Sequence, residues 1–367
     1  MGHRILIHCD LDAFFAAVET LHHNLDSNEP LVIGSDPKSG KGRGIVSTCN
    51  YAAREYGIHS AMPISEAWRR CPGKPVGPAV YMQSTRGLYR RASKKVMDLL
   101  KSEADKFEQA SIDEAYMDVT EKVGGDWDVA LSLANELQKR IQDSVNLSAS
   151  FGIGPTRILA KMAGEENKPK GIFRILPDGI LDFFEGRSPR EVPGIGPKSA
   201  TMLAEWGIES MDEVHAMGVL GLQRFASERF AKWVVDVLEG ETSDEVSPLR
   251  SRKSIGKEYT FSEDQTDAEI VLECLDRLIK DVIIRLQDLD LAGRLAEIKI
   301  RYKGFETHTH GRTIPVAMDD DGVFIRLGHD LLAHHLDFSN PVRLVGFRIG
   351  QLEDPLNRQS TLSRFTK

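Results

Sequence analysis

Two short acidic segments set in apolar surroundings constrain this chain more than any other feature. ILIHCDLDAFF (residues 5–15) is an apolar run broken by Asp10 and Asp12. SIDEAYMD (residues 111–118) sets Asp113 beside Glu114 among small and apolar residues. The apolar positions ask for buried strands, while adjacent carboxylates resist joint ionisation unless a cation or water lies against them. Magnesium takes a few carboxylates together with phosphate oxygens and water. In-line attack on phosphorus needs such ions to offset charge and activate the nucleophile. If Asp10, Asp113 and Glu114 meet on neighbouring strand ends, they supply that site. Either segment alone reads better as a solvated turn, or for Asp10 a helix cap.

The length of 367 residues suggests roughly two to four domains. No apolar run approaches the roughly 18 residues of a membrane span, and the start reaches acid before a signal-peptide core could form. A cytoplasmic protein without membrane contact is expected. Cys9, Cys49, Cys71 and Cys274 are far apart and form no CxxC, so they read as reduced thiols, neither a zinc site nor a disulfide framework. A net charge of −8 argues against a nucleic-acid partner. That figure is an average, however, and the positions of Lys and Arg matter more.

Along the chain, residues 5–11 read as a buried strand and 13–23 as a helix packed behind it. Residues 31–35 and 44–50 are further strands, and 51–57 a helix stopped by Gly57. The loop between the two strands, DPKSGKGRG, lacks the spacing of a phosphate-binding P-loop: Ser35 stands at the first glycine and Gly42 follows Lys41. Residues 87–103 form a basic amphipathic helix, 106–120 two strands with the acids at their break, 127–145 a helix and 147–154 a strand. A small antiparallel sheet covered by helices on one face fits this order.

At residues 188–207 the character changes. REVPGIGPKSATMLAEWGI places PGIG before a helix carrying Ala200 and Leu203, the pattern of a helix-hairpin-helix. Gly194 and Gly196 allow the tight turn, and free N–H groups at the next helix suit a DNA phosphate without sequence preference. Residues 239–254 are polar and read as a linker. In the last domain AEIKIRYKG alternates: Ile298, Ile300 and Tyr302 share one strand face, and Lys299, Arg301 and Lys303 the other. With three cations and no acid, that second face reads as a phosphate-tracking surface, extended by Arg250, Arg252, Lys253 and Lys257.

DLDAFFAAVE, STCNYAAREYGI, SIDEAYMD and PGIG, in this order, strongly resemble the Y-family DNA polymerases, most closely the DinB type. The likeness runs from about Ile5 to Lys367. It implies an α+β multidomain right hand: a ferredoxin-like palm (1–13 and 80–168), small fingers (14–79), a helical helix-hairpin-helix thumb (169–240), a linker (241–253), an α/β little finger (254–352) and a clamp-binding tail (353–367). Asp10, Asp113 and Glu114 match the metal-binding and catalytic acids, with Leu11 adding its backbone carbonyl, for two Mg2+ ions. Asp12 matches a family acid of less direct role. Phe15 matches the steric gate, an aromatic ring that would collide with a ribonucleotide 2′-hydroxyl, and Phe14 is its substrate-side neighbour. Thr48, Tyr51, Arg54 and Lys161 match the triphosphate-binding set, and Ile45, Ser47 and Ala61 the roof over the nascent base pair.

The resemblance further implies an error-prone translesion polymerase without proofreading, acting as a monomer on primer-template DNA and a deoxynucleoside triphosphate. In QSTLSRFTK, Gln359, Leu362 and Phe365 fit a sliding-clamp peptide, for a PCNA-like or bacterial clamp, with Thr366 where a second aromatic is usual. Two other readings compete. A nucleotidyl cyclase also has paired acids on a palm-like sheet but needs neither PGIG nor the tail. A DNA- and clamp-binding scaffold with a decayed site would not keep Phe15, Arg54 and Lys161 with the acids.

Overall fold

The computed structural model describes residues 3–354 except 86, 243–244, 248–251 and 338. The chain opens with β1 (Leu6–Leu11) and α1 (Phe14–His23), then β2 (Leu31–Gly34), β3 (Val46–Cys49), α2 (Tyr51–Arg54), α3 (Ile64–Arg70) and β4 (Val80–Met82). Next come α4 (Leu88–Lys101), β5 (Lys106–Gln109), β6 (Glu114–Asp118), α5 (Trp127–Val145), β7 (Ala149–Gly154), α6 (Arg157–Glu166) and β8 (Ile172–Arg174). A helical segment follows: α7 (Ile180–Phe184), α8 (Pro197–Glu205), α9 (Met211–Leu222) and α10 (Glu228–Glu239). The last part holds β9 (Ser254–Gln265), α11 (Ala268–Asp288), β10 (Ala292–Tyr302), β11 (Thr307–Met318), α12 (Asp321–His335) and β12 (Val342–Glu353). The chain divides into two compact units, 1–249 and 250–367.

The acids sit on a five-stranded sheet of order β5-β6-β1-β7-β8, antiparallel except for the parallel β7–β8 pair. Period-two alternation sends Ile7, Cys9 and Leu11 of β1, with Ala115, Met117, Phe151 and Ile153, into a core shared with α4 and α5. Burial of each large apolar side chain contributes about 1.5–3 kcal/mol. The other face is not open, which corrects the expectation of helices on one side only: α6 lies along β7 and β1. Gly152 and Gly154 admit it, since a Cβ at Gly152 would lie 2.0 Å from the carbonyl oxygen of Ala160 and 2.1 Å from the nitrogen of Gly164.

A three-stranded sheet of order β3-β2-β4 carries the first crossover. Its strand β4 pairs parallel with β2, so residues 80–82 join this sheet and not the palm sheet with which the sequence grouped them. Asn50 clasps the segment together: its side chain caps α2 at Ala53, accepts from the N–H of Leu31 and donates to the carbonyls of Ser27 and Glu29. The polar stretch after α10 is partly built in. Thr242 and Val246 are buried, Val246 against Leu6, Tyr116 and Ala160, and Ser247 donates its N–H to Glu108.

The second unit is a four-stranded sheet, β11-β10-β12-β9, with α11 and α12 on one face. Ile298, Ile300 and Tyr302 are buried on the helix side, as their alternation requires. Strand β11, over residues 307–318, pairs antiparallel with β10 at the edge of the sheet.

Candidate metal and nucleotide site

Register brings the acids together. In the β1–β6 pairing Asp10 faces Glu114, and in the β1–β7 pairing it faces Ser150, so both carboxylates emerge at one sheet end on the α6 side. Two lysines meet them. The Nζ of Lys168 lies 2.9 Å from Oδ2 of Asp10, and the Nζ of Lys161, on α6, lies 2.8 Å from Oε1 of Glu114. Burial pushes the Asp10 carboxyl up to about 6, with Lys168 opposing that rise. His8 and Lys161 hold Glu114 well below the usual carboxylate range against burial. Of these two, Lys161 makes the closer contact, since the Nε2 of His8 is 3.9 Å from Oε2 of Glu114.

Among the described residues, one group has convergent metal-ligating atoms: His8, Asp10 and Glu114, within 4.8 Å of one another. The hard carboxylate oxygens of Asp10 and Glu114 fit magnesium in charge and type. Asp113 does not yet converge with them. It is half-exposed at the mouth of the β5–β6 turn and accepts the hydroxyl proton of Ser111. The Ser111 oxygen in turn accepts the N–H groups of Asp113 and Glu114 at 3.1 and 3.0 Å. Asp118 frames the far end of β6 by accepting from Thr120. Leu11 buries its side chain in the core at the end of β1.

Asp12 is a clasp. It is buried, accepts the Ser150 hydroxyl at 2.7 Å and accepts the Lys170 N–H at 3.0 Å, so it ties the segment carrying Lys168 to β1. Ala13, with φ of 44°, turns the chain directly from β1 into α1. This turn separates the two phenylalanines. Phe14 is 2% exposed in the core, which corrects its placement on the substrate side. Phe15 is half-buried and stacks on Tyr89 at 4.2 Å and 19°. The Tyr89 hydroxyl donates to Glu19, which also accepts from the N–H and hydroxyl of Thr85 at 2.8 and 3.0 Å.

Thr48 is half-buried on β3, and the Arg54 guanidinium lies 4.4 Å over the Tyr51 ring. Burial raises the Tyr51 hydroxyl, and the Asp12 carboxylate adds to the rise. Ile45, Ser47 and Ala61 are exposed on the same three-stranded segment. In the helical segment, Gly194 has φ of 109° and a Cβ there would lie 2.9 Å from the Trp233 ring, whereas Gly196 caps α8 with open space around it.

On the second unit the open sheet face is not purely basic, and this corrects the sequence reading. Lys299 pairs with Glu258, Arg348 with Glu297, and Arg301 donates to the Thr307 hydroxyl at 2.8 Å. Glu258 sits on β9, where the local pattern of residues 299–303 could not show it, whereas Glu297 continues that same alternation two residues before Lys299 and was legible in the sequence. Lys257 turns to the helix side and pairs with Asp281 at 2.5 Å, and Lys303 lies beyond the end of β10. The clamp-peptide residues Gln359, Leu362 and Phe365 lie outside the described residues.

Sequence reading missed Lys168, Tyr89, Glu19 and His8. Lys168, in NKPKG just past α6, carried no signal of its own. His8 did: two residues before Asp10, it shares that strand face.

The chain matches the impB/mucB/samB family over residues 9–165 and that family's C-terminal domain over 252–362. It is 35% identical to "DNA polymerase IV" of Methanoculleus marisnigri, covering 99% of each chain. It is 35% identical to "DNA polymerase IV" of Streptococcus thermophilus, over 98% of this chain and 96% of that one. Among solved structures, a Y-family polymerase chimera of Dbh and Dpo4 superposes with a TM-score of 0.84 at 28% identity, over 95% of this chain and 99% of that chain. DinB from Sulfolobus solfataricus gives 0.61 at 28%, over 94% and 98%.

Proposed function

This chain belongs to the impB/mucB/samB family, the Y-family DNA polymerases, and from that membership we propose that it is a translesion polymerase working by a two-metal centre. The observation that carries the reading is Asp10 facing Glu114 across paired strands, each capped by a lysine. Asp10, Glu114 and, after a rotation away from Ser111, Asp113 would hold the ions, with the carbonyl of Leu11. Bound magnesium would activate the primer 3′-hydroxyl and offset charge on the triphosphate.

The remaining roles belong to the chain itself. Lys161 would leave Glu114 for the triphosphate as the acids take up their cations, joining Thr48, Tyr51 and Arg54. Lys as a point charge and Arg as a fork would both follow charge that develops on the phosphates. Phe15 would lie under the sugar and exclude a 2′-hydroxyl. A palm around β1, β6 and β7, fingers that take in β4, a thumb of 169–240 and a little finger of 254–352 would divide the work. Gly194 and Gly196 would bring backbone N–H groups to a DNA phosphate, and Lys299, Arg301 and Lys303 would contribute cations. The tail at Gln359, Leu362 and Phe365 would dock on a sliding clamp. Such an enzyme serves damage tolerance beside the chromosome.

Primer extension with magnesium on undamaged and abasic templates tests this. Extension past the abasic site, lost in Asp10→Asn and Asp113→Asn, supports it. Cyclisation of a free triphosphate without DNA, or DNA binding without extension, would sink it.

A further inference from the structure

His8 is wholly buried, yet neither of its ring nitrogens has a hydrogen-bond partner among the described residues. Leaving a buried polar group unsatisfied costs about 1–3 kcal/mol, and a leucine would fill the space without that cost. An orphan of this kind in a native core calls for a physical reason. The surroundings supply one. His8 shares a strand face with Asp10, pairs in register with Tyr116, and tilts against that ring at 4.8 Å. Gly164 of α6 leaves room on the Nδ1 side, where a Cβ would come within 3.1 Å. On the other side Nε2 points at Glu114, 3.9 Å from Oε2, too long for a hydrogen bond but closed by a small shift of the carboxylate.

Glu114 is held at its other oxygen by Lys161. On the proposed function, on which this inference rests, that lysine leaves for the triphosphate. Glu114 then needs another donor to fix its orientation. We propose that His8 is a positioning residue for the metal centre, its Nε2–H taking the second oxygen of Glu114 from beneath while the first faces the cation. Carboxylates that bind metals are themselves held by hydrogen bonds from behind, and loss of such a partner lowers metal affinity by about 10–100-fold.

The test uses the full-length chain stripped of metal with chelator and titrated with Mn2+ alone, with bound ion read by electron paramagnetic resonance. The wild-type chain should bind, and Asp10→Asn should not; a wild-type chain that binds no Mn2+ overturns the metal-centre reading and this inference with it. Given binding, His8→Leu should weaken it by about tenfold or more while its melting temperature stays at or above wild type. His8→Gln, whose amide reaches as far as Nε2, should restore most of the affinity, and His8→Asn, which is too short, should not. Should His8→Leu fail to fold, the Gln and Asn variants still decide. Wild-type affinity in His8→Leu or His8→Asn, or affinity in His8→Gln as low as in His8→Asn, overturns the inference.

Discussion

Lys168 sits on Asp10: its Nζ lies 2.9 Å from Oδ2, with both side chains largely withdrawn from water. Even so, burial leaves the Asp10 carboxyl at about 6, above its ordinary value of 3.8. The folded chain therefore binds this proton more tightly than the unfolded one. Between those two values stability falls as pH rises, and above about pH 6 the ionised Asp10 opposes folding. The scale is on the order of 2–3 kcal/mol. Asp10→Asn should thus raise the melting temperature of the chelated protein at pH 7.5, with the gain fading toward pH 4, while primer extension is lost. An Asn variant less stable than wild type at pH 7.5 would contradict the electrostatic account.

Phe15 owes its orientation to a ring it does not touch in sequence. Tyr89, only 8% exposed, stacks behind it and is anchored through its hydroxyl to the buried Glu19. Tyr89→Leu should loosen sugar discrimination by roughly fivefold, the worth of about 1 kcal/mol for such a ring pair. Phe15→Ala should loosen it further. Competitive incorporation of ribo- and deoxynucleotides measures both, and unchanged ratios in Phe15→Ala would remove the gate assignment.

The approach of α6 to β7 depends on missing side chains at Gly152 and Gly154, the closer approach being at Gly152. Gly152→Ala would drive a methyl into the backbone of Ala160 and Gly164, neither of which is a flexible side-chain end. A loss of about 3 kcal/mol, the upper part of the range for overpacking, is expected. Gly179→Ala, with nothing within 4 Å of its Cβ, is the control and should be near neutral. Denaturant midpoints compare the two; equal midpoints would mean that α6 packs elsewhere.

On the open sheet face of the second unit, Glu258 already neutralises Lys299. Glu258→Gln should free that cation, tighten DNA binding at low salt and steepen the dependence of log K on log salt by about one. Lys299→Gln should flatten it by a similar amount. Parallel slopes for all three proteins would show that this strand does not meet phosphate.

Much of this arrangement could be read in the sequence because it is written in local period. The two acidic segments, the alternation of β1 and of β10, helix α5 at residues 127–145 and the PGIG turn are all patterns within a few residues. Phe14 and Phe15 show the limit. Adjacent and chemically alike, they part only because Ala13 turns the chain at a positive φ, sending one ring to the core and the other to Tyr89.

The sequence by itself determined which residues carry charge in apolar strands, which faces those strands bury, and to which family the motifs point. Only the tertiary structure decided what meets those charges: Lys168 on Asp10, Lys161 on Glu114, His8 beneath them, Glu258 beside Lys299. The reason is physical. Period is a property of neighbouring residues, whereas an ion pair across strands depends on register and on how closely a helix can approach a sheet. Here that approach rests on two glycines in β7, far along the chain from the acids they serve.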